Sequence, residues 1–304
     1  MMDQRLILVV GKGGVGRSTV AAAIAGQLAE RGKRVLLFET NANDRFGNYF
    51  GKPPVGTDVV QLASNLWGVN ATPATAIAEY GLMILKFKTV YDMVFENRVT
   101  RAFLRAIPGL DEYSLLGKAW FHTTEEKKGV FAYDHIVFDM PASGHSLSML
   151  RVPWVITETV PDGPLTRDAR TIKALLQDPA RTGAVLVTLA EEMPVNEAIE
   201  LETKLSAMGI VPQQIVVNQV FPDHASPGTP AAKVIDALTA APSLTSPLAE
   251  LAHHALLSRE RRVLNTHYIG ELAERTKTPI RLLPMVFSAA LGPADVKQLG
   301  TQLT

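Results

Sequence analysis

Val9-Val10-Gly11-Lys12-Gly13-Gly14-Val15-Gly16-Arg17-Ser18-Thr19 is the stretch on which the reading of this chain turns. An apolar run, Leu6 to Val10, leads into it, and an Ala-rich helical pattern follows it to about Gly32. Strand, glycine loop and helix in that order make a phosphate site. Glycines let the backbone curl so that successive N–H groups point inward as a nest. The helix behind adds the positive end of its dipole, and Ser18 offers a hydroxyl to Mg²⁺. Gly13, Gly14, Val15, Gly16, Arg17, Ser18 and Thr19 are therefore the candidate triphosphate cradle; the plain alternative is a bare strand-to-helix turn.

A Walker A loop ends Gly-Lys-Ser or Gly-Lys-Thr, whereas this one ends Gly16-Arg17-Ser18. Arginine keeps the charge and grips phosphate oxygens with two prongs, but it is longer and flatter than the point charge of lysine. ATP binding is still expected, and fast hydrolysis is not. Lys12 marks a subclass. Lys-Gly-Gly-Val-Gly-Arg-Ser-Thr resembles the deviant Walker A loop of dimeric ATPases, among them the partition, septum-site, nitrogenase-reductase and anion-transporting families. In those families the early lysine reaches the nucleotide of the partner subunit. The resemblance thus implies a catalytic role for Lys12 in a nucleotide sandwich between two subunits, against the simpler reading of a solvated surface lysine.

Further motifs narrow the resemblance. Glu39-Thr40-Asn41-Ala42-Asn43-Asp44-Arg45-Phe46-Gly47-Asn48-Tyr49-Phe50 lies where such ATPases carry their first switch, roughly Asp-Thr-Asp-Pro-Ala-His before a hydrophobic residue and Gly. Thr40, Gly47 and Phe50 fit; Asn41 stands where the family has the carboxylate that orients and activates water. An amide takes up no proton at neutral pH, and losing such a group costs roughly 10²–10⁴-fold in rate. Asp44 and Glu39 are the neighbouring carboxylates, and their spacing argues against either as a substitute. Tyr133 to Asp139 reads as a strand ending in the Walker B carboxylate, so Asp139 joins Ser18 as a candidate Mg²⁺ residue. Asp139-Met-Pro-Ala-Ser-Gly-His-Ser-Leu-Ser-Met-Leu150 is similar, position for position, to the second switch of the arsenical-pump and tail-anchored-protein targeting ATPases. Gly144-His145 is its distinguishing pair: a loop glycine free to rearrange and a histidine to report it. Asn218, inside the strand Ile215 to Phe221, coincides with the asparagine that reads adenine, and Pro284, Met285 and Phe287 are expected to close over the base.

The resemblance to the anion-transporting ATPase family covers nearly the whole chain. It implies an α/β P-loop NTPase with a mostly parallel sheet of about seven to eight strands flanked by helices. One ATPase domain over 1–304 is expected, with a helical subdomain inserted at 72–130. Within that insert the helical patterns are Ala74–Tyr80, Leu82–Ile107 and Asp111–Lys128. Met83, Ile84, Phe87, Val90, Met93, Val94 and Phe95 read as core or dimer contacts, or as a groove for a hydrophobic client helix. Further on, Val152 to Gln177 reads as helices broken at Asp162-Gly163-Pro164, and Leu248 to Thr276 as one long helix.

Composition sets the outer limits. The 304 residues are 47% hydrophobic and 20% charged, enough to bury a large core. Lys plus Arg equals Asp plus Glu at 30 each, so no overall field recruits nucleic acid or anionic lipid. No apolar run reaches transmembrane length, and Met1 to Arg5 does not lead into a signal peptide. There are no cysteines, which removes disulfides, thiolate arsenite sites, Cys-x-x-Cys zinc clasps and cysteine-held clusters. The expectation is a cytoplasmic, ATP- and Mg²⁺-binding switch, slow or impaired in hydrolysis through Arg17 and Asn41. It would act as a homodimer or as a heterodimer with a paralogous ATPase. A non-hydrolysing pseudo-ATPase scaffold is the rival, and a partition or septum-site type positioning ATPase a more distant one.

Overall fold

Strand β1 (Leu6–Gly11) is buried along its whole length, which is why it reads as one apolar run rather than an alternation. Leu6, Leu8 and Val10 enter one helical layer and Ile7 and Val9 the other, as the two-residue period of a strand requires. The computed structural model describes residues 3–40, 44–85, 109–223, 228–240 and 247–303. Parallel to β1 run β2 (Val35–Glu39), β4 (Leu66–Asn70), β7 (His135–Asp139), β8 (Thr182–Leu189), β9 (Pro212–Val220) and β10 (Ile280–Pro284). The edge strand β3 (Val60–Ala63) pairs antiparallel with β4. The eight-stranded sheet has the order β10-β9-β8-β1-β7-β2-β4-β3, with β1 between β8 and β7.

The helices are α1 (Arg17–Glu30), α2 (Phe46–Tyr49), α3 (Pro73–Leu85), α4 (Leu110–Thr124), α5 (Ser143–Thr159), α6 (Pro164–Gln177), α7 (Glu192–Ala207), α8 (Pro230–Thr239), α9 (Pro247–Arg275) and α10 (Pro293–Gly300). Residues of α1, α2 and α10 pack on one face of the sheet. Those of α4, α5, α6, α7 and the end of α9 pack on the other. Helix α1 is buried from Thr19 to Ala25 and again at Leu28 and Ala29. Its alanines let α10 approach closely: a Cβ on Gly300 would lie 2.8 Å from the Ala23 carbonyl.

Most expected elements are present, with three corrections. Helix α4 stops at Thr124 rather than Lys128, and β5 (Glu126–Lys127) pairs with β6 (Val130–Phe131) in a hairpin. Lys128 and Gly129 both have positive φ, the geometry of a tight two-residue turn. Helix α5 begins at Ser143, well before Val152. The short elements α2, β3 and α10 are not evident in the apolar periodicity. Phe87, Val90, Met93, Val94 and Phe95 lie outside the described residues. Among the described residues no helix is long and apolar enough to cross a membrane.

Helix α4 seats His122 against the sheet. Its Nδ1 lies 2.9 Å from Glu125 Oε2, and its ring meets those of Phe38, Phe121 and Tyr133. Lys118 on the same helix pairs with Glu79 of α3 at 2.9 Å. Burial pulls the His122 pKa below its ordinary value of 6.5, more than Glu125 lifts it. The unfolded chain therefore takes up this proton more readily than the folded one. Stability from this site is complete above pH 6.5 and declines as the pH falls below it. Urea unfolding at pH 7.5 and 5.5 should show a loss of stability that His122→Gln reduces; an equal loss in both proteins would exclude His122 as its source.

Candidate functional site

Because the strands are parallel, their carboxyl ends share one edge, where ligands of open α/β sheets bind. Register places Val9 of β1 and Glu39 of β2 level with Asp139 of β7. Glu39 and Asp139 are both buried. The loop Lys12–Gly16 spans from β1 to the first turn of α1, and Gly14 and Gly16 take φ of 88° and 89°, a region open to glycine at little cost. A Cβ on Gly13 or Gly14 would meet nothing within 4 Å, so the loop is open above these amides. A Cβ on Gly16 would collide with the Asn218 amide.

Arg17 and Ser18 tie this loop to the end of β7. Ser18 Oγ donates to Asp139 Oδ2 at 2.5 Å, and Arg17 Nη1 donates to the Met140 carbonyl. Burial lowers the Arg17 pKa; Asp139 opposes the shift and Arg45 adds to it. A hydroxyl and a carboxylate in contact beneath open amides are the hard oxygen donors that Mg²⁺ takes beside a phosphate. Among the described residues no three His, Cys, Asp or Glu side chains converge. A cation here would complete its shell with waters or phosphate oxygens, as Mg²⁺ on a nucleotide does.

The first switch is described only in part, and Asn41 lies outside the described residues. Asp44 accepts the backbone N–H groups of Phe46, Gly47 and Val55 at 2.9, 3.2 and 2.9 Å. Its carboxylate thus orders α2 and the chain beyond it. Thr19 of α1 and Tyr49 of α2 share a 3.0 Å hydrogen bond. In the second switch, Gly144 and His145 occupy the first turn of α5 rather than a loop. Both are exposed, and a Cβ on Gly144 would meet nothing within 4 Å.

Asn218 is buried, and its Nδ2 donates to the Val15 carbonyl at 3.0 Å. It reaches the loop through a bulge: Leu282 pairs with Val217 and Pro284 with Val220, leaving one extra residue in β9. Gln219 takes φ of 56° there, and such bulges re-aim side chains beside functional sites. Pro284 ends β10, and the Met285 N–H donates to the Val220 carbonyl at 2.8 Å. Exposed Phe287 meets Phe221 edge-on with ring centres 5.9 Å apart. Asn218, Pro284, Met285 and Phe287 therefore sit together near the ends of β9 and β10.

Lys12 pairs with Glu197 of α7, with Nζ 2.7 Å from Oε1. Glu197, Gln219, Tyr49 and Phe221 carry no functional signal in the sequence. Glu197 sits in an acidic helix start, where nothing local separates it from Glu191 or Glu192. Gly16→Ala should cost about 1–2 kcal/mol for backbone strain, plus the displacement of Asn218. With Asn218→Ala added, urea unfolding should show a total loss smaller than the sum of the single losses by about 1 kcal/mol or more. Strict additivity would remove the steric link.

The anion-transporting ATPase profile matches residues 4–162 and 165–235. The chain is 31% identical over 230 residues to the ATPase BagA of Mycobacterium tuberculosis, covering 73% of this chain and 67% of that protein. It is 31% identical over 240 residues to an arsenical pump-driving ATPase of Escherichia coli, covering 71% of this chain but 39% of that protein. An ATPase ASNA1 homolog of Cryptosporidium parvum is 28% identical over 251 residues, 71% of this chain and 65% of its own. A parallel sheet carrying the glycine loop, the Ser18–Asp139 contact and the Gly144-His145 turn agrees with that likeness, and the chain belongs to the anion-transporting ATPase family.

Proposed function

We propose that this chain is an ATP-binding, nucleotide-switched dimer whose hydrolysis is slow or silent. The observation that carries the reading is the Ser18 Oγ–Asp139 Oδ2 contact at 2.5 Å, beside a glycine loop with open space among the described residues where side chains on Gly13 and Gly14 would stand. In this reading Gly13, Gly14, Val15, Gly16 and Thr19 line the triphosphate, and Arg17 turns from the Met140 carbonyl to phosphate oxygens. Ser18 and Asp139 would hold Mg²⁺, which would neutralise phosphate charge. Asn218 reads adenine, with Pro284, Met285 and Phe287 against the base. Asn41 positions the water without taking its proton, Lys12 serves the partner's nucleotide, and Gly144-His145 transmits the state of the site. The chain acts as one domain over 1–304, with the insert at 72–130 presenting a face to a second copy, a paralogous ATPase or a hydrophobic client helix. Arsenite is an unsuitable cargo for a sequence with no cysteine.

One observation favours a second reading, a pseudo-ATPase scaffold. Arg17 is already satisfied within the chain by the Met140 carbonyl, so the loop is held without phosphate. Two experiments separate the readings. Mg²⁺-ATP at a hundred times its dissociation constant should stabilise the protein by about 2.7 kcal/mol in thermal or urea unfolding, and Arg17→Ala should lose most of that gain. No stabilisation by ATP, ADP or a non-hydrolysable analogue would favour the scaffold. Phosphate release should be slow in the natural sequence and rise roughly 10²-fold or more in Arg17→Lys/Asn41→Asp; turnover of several per second in the natural sequence would overturn the impaired-hydrolysis reading.

A further inference from the structure

Lys12 and Glu197 stand 185 residues apart in sequence, yet their side chains form an ion pair of 2.7 Å at the mouth of the loop. The two ends are held differently. Glu197 projects from α7, whose Val195, Ala198 and Leu201 are buried against the sheet layer. Lys12 begins a loop whose next two residues, Gly13 and Gly14, have open space where a side chain would be. Glu197 is thus the fixed pole and Lys12 the movable one. The side chains are 37% and 30% exposed, so water and competing anions reach the pair. Met193, one helical turn before Glu197 and so on its side of α7, is 59% exposed.

An ammonium is a single compact charge. If Lys12 serves the nucleotide of a second copy, it must first leave Glu197. We propose that Glu197 is a positioning residue that holds Lys12 within its own protomer, so that two Lys12–Glu197 pairs open each time two copies close over nucleotide. This rests on the reading of Lys12 given above. The latch lowers the affinity of the two copies for each other and keeps loops from meeting until bound phosphate outcompetes a carboxylate. A pair this exposed changes an equilibrium by about two- to five-fold. Two pairs open per dimer, so the association constant shifts by the square, about four- to twenty-five-fold.

The test uses the full chain with Mg²⁺ and a non-hydrolysable ATP analogue, following dimer formation by light scattering and its kinetics by stopped flow. Glu197→Gln should tighten the dimer by about four- to twenty-five-fold, through faster association with dissociation unchanged, because the pair exists only before closure. Glu197→Asp, which keeps the carboxylate but draws it back, should fall between Gln and the natural residue. Without nucleotide, the two variants should melt no higher than the natural protein and at most slightly lower, as the loss of one exposed ion pair requires. A Glu197→Gln dimer that is unchanged, weaker, or tighter only through slower dissociation would overturn the latch. Lys12→Ala separates the two levels of the argument: it should abolish the analogue-driven dimer. A Lys12→Ala protein that dimerises as the natural one does would remove the role of Lys12 across the interface, whatever Glu197 does.

Discussion

The edge of this sheet works because β1 and β7 pair in one register. That pairing sets Val9 beside Asp139 and brings the Asp139 carboxylate within 2.5 Å of Ser18 in the first turn of α1. A slip of one residue would turn Asp139 into the opposite helical layer and remove it from the loop. The register is protected by burial on both faces, since Ile136 and Phe138 belong to one core cluster and Val137 to the other. A shift would exchange those sets and undo both layers together. The polar geometry at the strand ends is therefore fixed by apolar packing some distance below it.

The side chains expected at the nucleotide site already have partners within the chain. Arg17 bonds the Met140 carbonyl, Ser18 bonds Asp139, Asn218 bonds the Val15 carbonyl and Lys12 pairs with Glu197. Buried polar groups left without partners cost free energy, so a loop of this kind arranges internal substitutes. Ligand entry would then exchange bonds more than create them. The net gain per bond is modest, and affinity comes from the number of contacts and the fit of the cradle.

Much of this was legible in the chain. Strand β1 and the helix after the loop carry unbroken apolar or Ala-rich runs, and the loop announces itself by glycine spacing. Asp139 follows from its place at a strand end, and Asn218 from the family resemblance. What was hidden depends on contacts distant in sequence or on small backbone deviations. Glu197 is one of several acids at a helix start, and only the fold shows which of them meets Lys12. The bulge at Gln219 leaves no mark on the apolar pattern, because the extra residue is simply exposed. The hairpin after α4 reads as helix in the sequence because Glu126, Lys127 and Lys128 continue a helical composition, and the turn signal is the single Gly129. Gly144-His145 reads as a loop from its residues, although α5 begins one residue earlier at Ser143, with no side-chain cap to announce the start.

Helix α1 has a mechanical character that follows from its alanines. The sheet bears on one side and Gly300 of α10 sits almost against its backbone on another, while Thr19 is pinned to Tyr49. It behaves as an anvil, with no slack through which to recoil. A displacement forced at the loop would meet less resistance in the exposed Gly13 and Gly14 and in the opening turn of α5 than in α1, so the close packing of one element bears on which others can shift.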